Sequence, residues 1–168
     1  LSNLEILESR GDSDKRSLLK VIDQTINGMG GRLIRSWLIR PSIKRTEIQT
    51  RLSALSELMD TMLRDQVRFL LKEVSDLERL VGRLNLGTAT PRDLLALERA
   101  LAKAPKINAA LADVSSLLLQ VLAENIFEVP EIRDLIANSI ADEAPALLNE
   151  GGIIRAGFNS ELDELRNV

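Results

Sequence analysis

The 168-residue sequence contains no cysteine, no histidine and no tyrosine, and its aromatic side chains are one tryptophan and three phenylalanines. Without cysteine the chain forms no disulfide and offers no thiolate to a metal ion. Without histidine it lacks the most frequent general base, the most frequent metal ligand and the usual side chain that titrates near neutral pH. Catalysis by a serine–histidine or cysteine–histidine pair within this chain is therefore excluded.

Long apolar runs and strand-like alternation are also missing. No apolar run approaches the about 20 residues of a membrane span, so we expect a cytoplasmic protein with no signal peptide and no membrane partner. Apolar residues make up 45% of the chain and charged residues 28%, and leucine and alanine dominate the apolar share. This composition predicts an all-α fold. No tight acidic cluster indicates a magnesium site.

The charges are unevenly distributed, although the formal net charge is only −3. Nine basic residues face two acidic ones between Lys15 and Arg51, whereas three basic residues face eight acidic ones from Glu131 onward. The basic segment is a candidate face for DNA or an acidic partner. We favour two solvated, complementary helix faces, because the segment lacks interleaved aromatic residues for base stacking. The candidate contacts are Arg32, Arg35, Arg40, Lys44 and Arg45.

Capping residues predict a multi-helix domain. A serine, threonine or aspartate ahead of an acidic or amide residue is typical of a helix start, and proline is favoured in the first turn. The expected helix starts are Asp14, Thr46 with Gln49, Ser75 with Glu78, Thr90 with Pro91 and Asp93, Pro130, and Ser160 with Asp163. Another helix is expected within 115–126. Pro41 and Gly87 should end helices, and Pro105 should end or kink one.

Apolar spacing marks a candidate core helix. Spacings of 4, 3, 4 and 3 place five large residues on one stripe of a single helix: Ile48, Leu52, Leu55, Met59 and Met62. Because a helix buries such a stripe against its neighbours, we predict that the stripe is core. Leu94, Leu97 and Leu101 likewise share one face of the helix behind Thr90.

The most unusual segment is TINGMGGRLIRSWLIRP, residues 25–41, in which three glycines occupy four consecutive positions. Glycines ahead of a helix with Arg32 in its first turn are one way to bind phosphate. The segment matches neither G-x-G-x-x-G nor G-x-x-x-x-G-K-[ST], and no strand–helix alternation follows. We favour a structural role, in which the glycines relieve crowding at a close bend between helices. The helix behind them presents an apolar face formed by Leu33, Ile34, Trp37 and Leu38.

The last segment changes character. A β-branched pair, Ile153–Ile154, is surrounded by the glycines Gly151, Gly152 and Gly157, which indicates a turn or a short extended stretch. A helix with Leu162 and Leu165 is expected to follow. Since the first residue is not methionine and the sequence stops soon after this helix begins, we expect a piece of a larger protein. Residues from about Ser160 onward should then be frayed or be stabilised by another copy of the chain.

Three ordered stretches resemble the MutS family of DNA mismatch-repair proteins. They are the segment 25–41, DLERLVGRLNLGTATPRDLLAL at 76–97 and EGGIIRAGFNSELDELR at 150–166. In addition, NLEI at 3–6 matches the strand that enters the family's core. The resemblance covers nearly the whole chain and is weakest over 102–138. The family-motif residues are Thr25, Met29, Gly30, Gly31, Arg32, Leu33, Trp37, Leu38, Pro41, Asp76, Leu77, Glu78, Arg79, Pro91, Arg92, Asp93, Gly151, Gly152 and Gly157.

The resemblance implies a helical core domain over 1–158 and the truncated start of a lever helix over 159–168. The parent would be a DNA-dependent ATPase of the bacterial cytoplasm that uses ATP and magnesium, recognises mismatched duplex DNA as a homodimer and recruits the MutL partner. This chain would hold no catalytic, cofactor or metal residue. It would transmit conformational change between the ATPase, clamp and mismatch-binding parts.

Two alternatives stay open. In the first alternative, the chain is a stand-alone helical module that binds DNA or a protein through the basic segment 15–51. Within the family, the runner-up is a paralogue with a meiotic or anti-recombination role. The ordered Met-Gly-x-Arg-Leu and Trp-Leu-x-x-Pro pattern favours the repair branch.

Overall fold

A computed structural model describes residues 6–7, 17–146 and 148–166. The expectations for a helix start at Asp14 and for Lys15 and Arg16 lie outside the described residues. The strand expected over 3–6 also lies outside them except for Ile6, which is in a bend. Within the described ranges every regular element is helical, as the composition predicts, and one isolated antiparallel bridge pairs Ile140 with Ile154. None of the described helices is long and apolar enough to span a membrane.

Ten α-helices make up the described parts of the chain. In order they are α1 Leu18–Ile22, α2 Gly28–Ile39, α3 Arg45–Glu57, α4 Thr61–Lys72, α5 Leu77–Asn85, α6 Pro91–Leu101, α7 Ala104–Ala110, α8 Leu117–Glu124, α9 Pro130–Ser139 and α10 Ser160–Arg166. A short 3-10 turn at Leu148–Glu150 precedes α10. Helices α8 and α9 confirm the two that were expected within 115–126 and from Pro130.

The clearest helix start lies at α6. The Thr90 hydroxyl accepts the N–H of Asp93 at 3.2 Å, and the Asp93 carboxylate accepts the N–H of Thr90 at 3.0 Å. This reciprocal capping box, with Pro91 in the first turn, confirms the prediction. The prediction for Pro105 was wrong in part: α6 already ends at Leu101, and the proline lies in the first turn of α7, where its missing N–H costs no hydrogen bond.

The end of α5 also follows the sequence pattern. Gly87 has a φ of +66°, and the N–H of Thr88 donates to the carbonyl of Arg83 at 2.9 Å. A left-handed residue directly after the last helical turn is the arrangement that glycine favours.

Two other predicted capping boxes are wrong. Helix α3 begins at Arg45 with no side-chain cap, because its N-cap residue is Lys44, whose ammonium group cannot accept a hydrogen bond. The Ser42 hydroxyl accepts the N–H of Lys44 and donates to Glu47. Helix α5 is capped by Asp76, one residue after Ser75, because the Asp76 carboxylate accepts the N–H of Arg79. Similarly, Asn159 rather than Ser160 caps α10.

The glycine segment forms the first turn of α2. Asn27 caps this helix by accepting the N–H of Gly30 at 2.9 Å, and Gly28, Gly30 and Gly31 lie inside the helix. The bend between α1 and α2 therefore falls at residues 23–27, before the glycines, and the predicted bend position was wrong. Pro41 follows the end of α2 at Ile39, as expected.

The apolar core consists of two clusters. The first cluster contains Ala54, Leu70, Val74, Ala100, Ile107, Leu111, Val114 and Leu119. The second cluster contains Leu80, Leu95, Leu97, Ile136, Ile140 and Ala144. Helix α6 belongs to both, because Ala100 lies in the first and Leu95 and Leu97 in the second. Leu94 and Leu101 pack against the second cluster, which confirms the face predicted for α6.

The predicted core stripe is wrong in two respects. The helix that was to carry it is broken by a turn at residues 58–60, so α3 and α4 are separate helices. Its five side chains are exposed, from 40% for Ile48 to 79% for Met62. On α3 the buried side chain is the small Ala54, and α3 packs against α8 through that side.

The glycine-rich segment near the end is extended, as predicted. Gly151, Gly152 and Gly157 all have positive φ. The Ile153 carbonyl accepts the N–H of Ala141 at 2.8 Å, which lays the segment beside the end of α9.

Candidate functional site

An ion-pair cluster joins α2 to α5 and consists of Arg32, Asp76 and Glu78. The Arg32 guanidinium donates a hydrogen bond from Nη1 to Asp76 Oδ2 at 2.7 Å and another from Nη2 to Asp76 Oδ1 at 2.8 Å. Its Nε donates to Glu78 Oε2 at 3.0 Å. The paired N–H groups match the two carboxylate oxygens, which fixes orientation as well as distance. Arg32 therefore holds the first turn of α5 against α2.

The electrostatics of the cluster follow from these hydrogen bonds. The Arg32 guanidinium lowers the pKa of Asp76 from 3.8 to about 2, helped by the N–H of Arg79. Asp76, and after it Glu78, raises the pKa of Arg32 above its usual value. The Arg32 and Asp76 side chains are 39% and 21% exposed, so solvent screens their attraction. The contribution of the cluster lies mainly in its geometry, because one carboxylate both caps α5 and orients Arg32.

Gly28 allows this approach. A Cβ at Gly28 would lie 2.9 Å from Asp76 Oδ2, closer than real Cβ atoms are found. A Cβ at Gly30 would lie 3.2 Å from the Cβ of Thr25, whose hydroxyl and N–H both donate to Asp23. The glycines therefore relieve crowding, as expected, but against a carboxylate and a loop rather than against a second helix.

A second polar junction lies between α3 and α8. Glu57, the last residue of α3, accepts the N–H groups of Ser115 and Ser116, the latter at 2.8 Å. These hydrogen bonds lower the pKa of Glu57. The carboxylate thus supplies a cap to the start of α8 from a distant part of the chain. Sequence reasoning missed this role, because a cap between residues 58 positions apart leaves no local pattern.

The predicted contact residues separate into two groups. Arg32 is held by carboxylates of this chain, whereas the other four form the exposed basic surface Arg35, Arg40, Lys44 and Arg45. Arg35 and Arg40 line an open cavity of about 290 Å³ together with Arg32, Ser36 and Ile39. On the neighbouring face Arg51 stacks over the Trp37 ring at 4.0 Å from its centroid.

The other family-motif residues have structural positions. Met29 packs against the first cluster, Leu77 packs against both clusters, and Pro91 is fully buried. Arg92 donates to the carbonyl of Ala144 at 3.4 Å. Leu33 is half exposed. The three glycines at 151, 152 and 157 shape the extended segment and do not contact the ion-pair cluster.

These features define an all-helical domain in which two apolar clusters share helix α6 and an ion-pair cluster at the surface joins α2 to α5. The family model described as MutS domain III matches residues 1–167. The chain belongs to this family, as the resemblance implied.

Curated relatives agree with this assignment. The chain is 45% identical over 99% of its length to the DNA mismatch repair protein MutS of Symbiobacterium thermophilum and covers 19% of that protein. It is 43% identical to the proteins of the same name from Halothermothrix orenii and Solibacter usitatus, of which it covers 19% and 20%. The chain thus spans about a fifth of the length of these relatives and is similar to one segment of a mismatch repair protein.

Proposed function

We propose that this chain is the non-catalytic core of a DNA mismatch-recognition ATPase and transmits conformational change between its ATPase, clamp and mismatch-binding parts. The family match supports a mismatch-repair segment. On this proposal the parent hydrolyses ATP with magnesium, binds mismatched duplex DNA as a homodimer and recruits MutL.

The ion-pair cluster carries the mechanical part of the proposal. Met29 and Arg32 are neighbours on α2: the first packs against the first cluster, and the second holds α5, whose Leu80 lies in the second cluster. A force on one cluster therefore reaches the other through α6 and through Arg32. Elements with discrete packed arrangements are what coupling over a distance requires.

The test is Arg32→Ala in the full-length protein. We expect mismatched DNA to bind and basal ATP hydrolysis to proceed as in the wild type, while the effect of mismatched DNA on hydrolysis is lost. Arg32→Lys should also lack most of the response of ATP hydrolysis to mismatched DNA, because an ammonium group cannot make the bidentate pair with Asp76. A double-mutant cycle with Asp76→Ala should be non-additive if the two side chains act together.

The matched control is Arg64→Ala, since Arg64 pairs with the adjacent Asp65 on the same helix and its side chain is 41% exposed, close to the 39% of Arg32. In this control variant, mismatched DNA should change the rate of ATP hydrolysis as much as it does in the wild type. If Arg32→Ala leaves the response of hydrolysis to mismatched DNA intact, the transmission role assigned to the cluster is wrong.

The exposed basic surface supports a second candidate, direct binding of DNA. Its four cations lie close together in sequence, and two of them line one cavity. Binding of duplex DNA through this surface would weaken steeply with salt, and Arg35→Glu with Arg40→Glu would abolish it. Unchanged affinity and salt dependence in that double variant would remove this candidate.

A further inference from the structure

Asn27 is directly followed by a glycine, which is true of none of the other eight asparagines in the sequence. In such a pair the main-chain nitrogen of the glycine can attack the side-chain amide carbon of the asparagine, because the glycine has no Cβ to hinder the approach. Asn27 is half-buried and Gly28 is exposed, so water reaches the pair. The pair is therefore a candidate for spontaneous chemical modification.

The native helix cap holds the two reacting atoms of this pair apart. Asn27 Oδ1 accepts the N–H of Gly30 at 2.9 Å, and the Asn27 backbone has a ψ of 165°. Closing a five-membered ring through Cγ requires Cβ and the Gly28 nitrogen to be nearly eclipsed about the Cα–C bond, which this ψ does not allow. Gly28 is the first residue of α2, so its N–H has no acceptor within the helix. Ring closure thus requires only that the first turn of α2 opens.

We propose that Asn27–Gly28 is a deamidation site, closed while α2 keeps its first turn, whose isoaspartyl product releases Arg32 from Asp76. The Gly28 nitrogen forms a bond to Asn27 Cγ while the Cγ–Nδ2 bond breaks, and the Gly28 N–H proton leaves with the amide nitrogen as ammonia. Water then opens the resulting succinimide. Cleavage of its bond at Cγ gives aspartate, and cleavage of its bond at the main-chain carbonyl carbon gives isoaspartate.

The two products should affect α2 differently. Aspartate leaves the main chain unchanged, and its carboxylate still accepts the N–H of Gly30 and lies at the positive end of the helix. Isoaspartate lengthens the main chain by a methylene group directly before Gly28. Gly28 has little room beside Asp76, because a Cβ there would lie 2.9 Å from Asp76 Oδ2. The longer main chain therefore displaces the carboxylate that orients Arg32.

Ageing of the full-length protein at mildly alkaline pH tests the modification itself. Asn159 is the matched internal control, because its Oδ1 accepts the N–H of Leu162 at 3.0 Å in the same kind of cap, but its next residue is serine. Peptide mapping by mass spectrometry should find that Asn27 is converted severalfold faster than Asn159. In urea, Asn27 should be converted at least about fivefold faster than in the folded protein, since the cap no longer restrains it.

The melting temperature tests the effect of the product. Asn27→Ser keeps a capping side chain and should not change in mass at this position during ageing. Freshly purified Asn27→Asp should melt with the wild type, whereas aged protein rich in isoaspartate should melt lower. In an Arg32→Ala background the isoaspartate should lower the melting temperature less, because the ion pair that it breaks is already absent.

Three results would overturn the proposal. An Asn27 that stays intact after Asn159 has been converted would show that the folded protein has no deamidation site there. Equal rates in urea and in native buffer would show that the first turn of α2 does not close the site. An isoaspartyl form that melts with Asn27→Asp, or loses as much in the Arg32→Ala background, would show that Arg32 keeps its place.

Discussion

Helices α3 and α6 are similar in length and both contribute to the first cluster, but they do so through different kinds of residue. α6 buries Leu95, Leu97 and Ala100. α3 buries only Ala54 and leaves Leu52 and Leu55 more than half exposed. The difference follows from their neighbours: α6 packs against α5 and α9 and reaches both clusters, whereas α3 packs on one side against α8. Apolar spacing identifies a face that needs a partner, and topology decides whether this chain supplies one.

The largest expected difference between the two helices is the loss of stability when one leucine in each is replaced by alanine. Leu97→Ala in α6 should destabilise the chain by about 2–5 kcal/mol, because the side chain is buried and its removal leaves a cavity. Leu55→Ala in α3 should change the free energy of unfolding by less than about 0.5 kcal/mol in the 168-residue chain. Urea unfolding of the two variants measures both values. Equal losses would mean that α3 buries its stripe within this chain and would remove the contrast.

Some features were predictable because they depend on neighbouring residues alone. The Thr90 and Asp93 pair, Pro91 and Gly87 occupy the cap positions that their spacing indicates. The all-helical class follows from composition. The family match agrees with the resemblance and does not give the contacts that the side chains make.

Other features depend on residues far apart and left no local pattern. The sequence makes Arg32 a candidate contact for DNA or an acidic partner, yet it is held by carboxylates of this chain that lie 44 and 46 positions later. The capping box expected at Thr46 does not form because α3 already begins at Arg45, which places Thr46 inside the first turn. Sequence spacing cannot identify hydrogen-bond partners that lie so far apart along the chain.

The second-largest expected difference is the loss of stability when the threonine near the start of each helix is replaced by alanine. Thr90→Ala should cost about 1 kcal/mol, since it removes one half of the capping box at α6. Thr46→Ala, at the matching pattern in α3, should change stability by no more than a few tenths of a kcal/mol, because Thr46 caps nothing. Thermal unfolding monitored by circular dichroism compares the two. A similar loss for both threonines would restore the predicted cap at α3.

The smallest expected effect is a pH dependence at the polar junction between α3 and α8. The N–H groups of Ser115 and Ser116 hold the pKa of Glu57 below 4.5. A carboxyl group whose pKa is lower in the folded state contributes stability above its unfolded pKa and loses it as the pH falls through its folded pKa. Stability of the wild type should therefore fall below about pH 4.5, and Glu57→Gln should remove part of that slope while weakening the chain at pH 7. Urea unfolding at pH 7, 5 and 3.5 measures both. The same acid slope in Glu57→Gln would mean that the hydrogen bonds between Glu57 and the start of α8 contribute nothing to the acid dependence, and that α3, like α6, is held mainly by its other contacts.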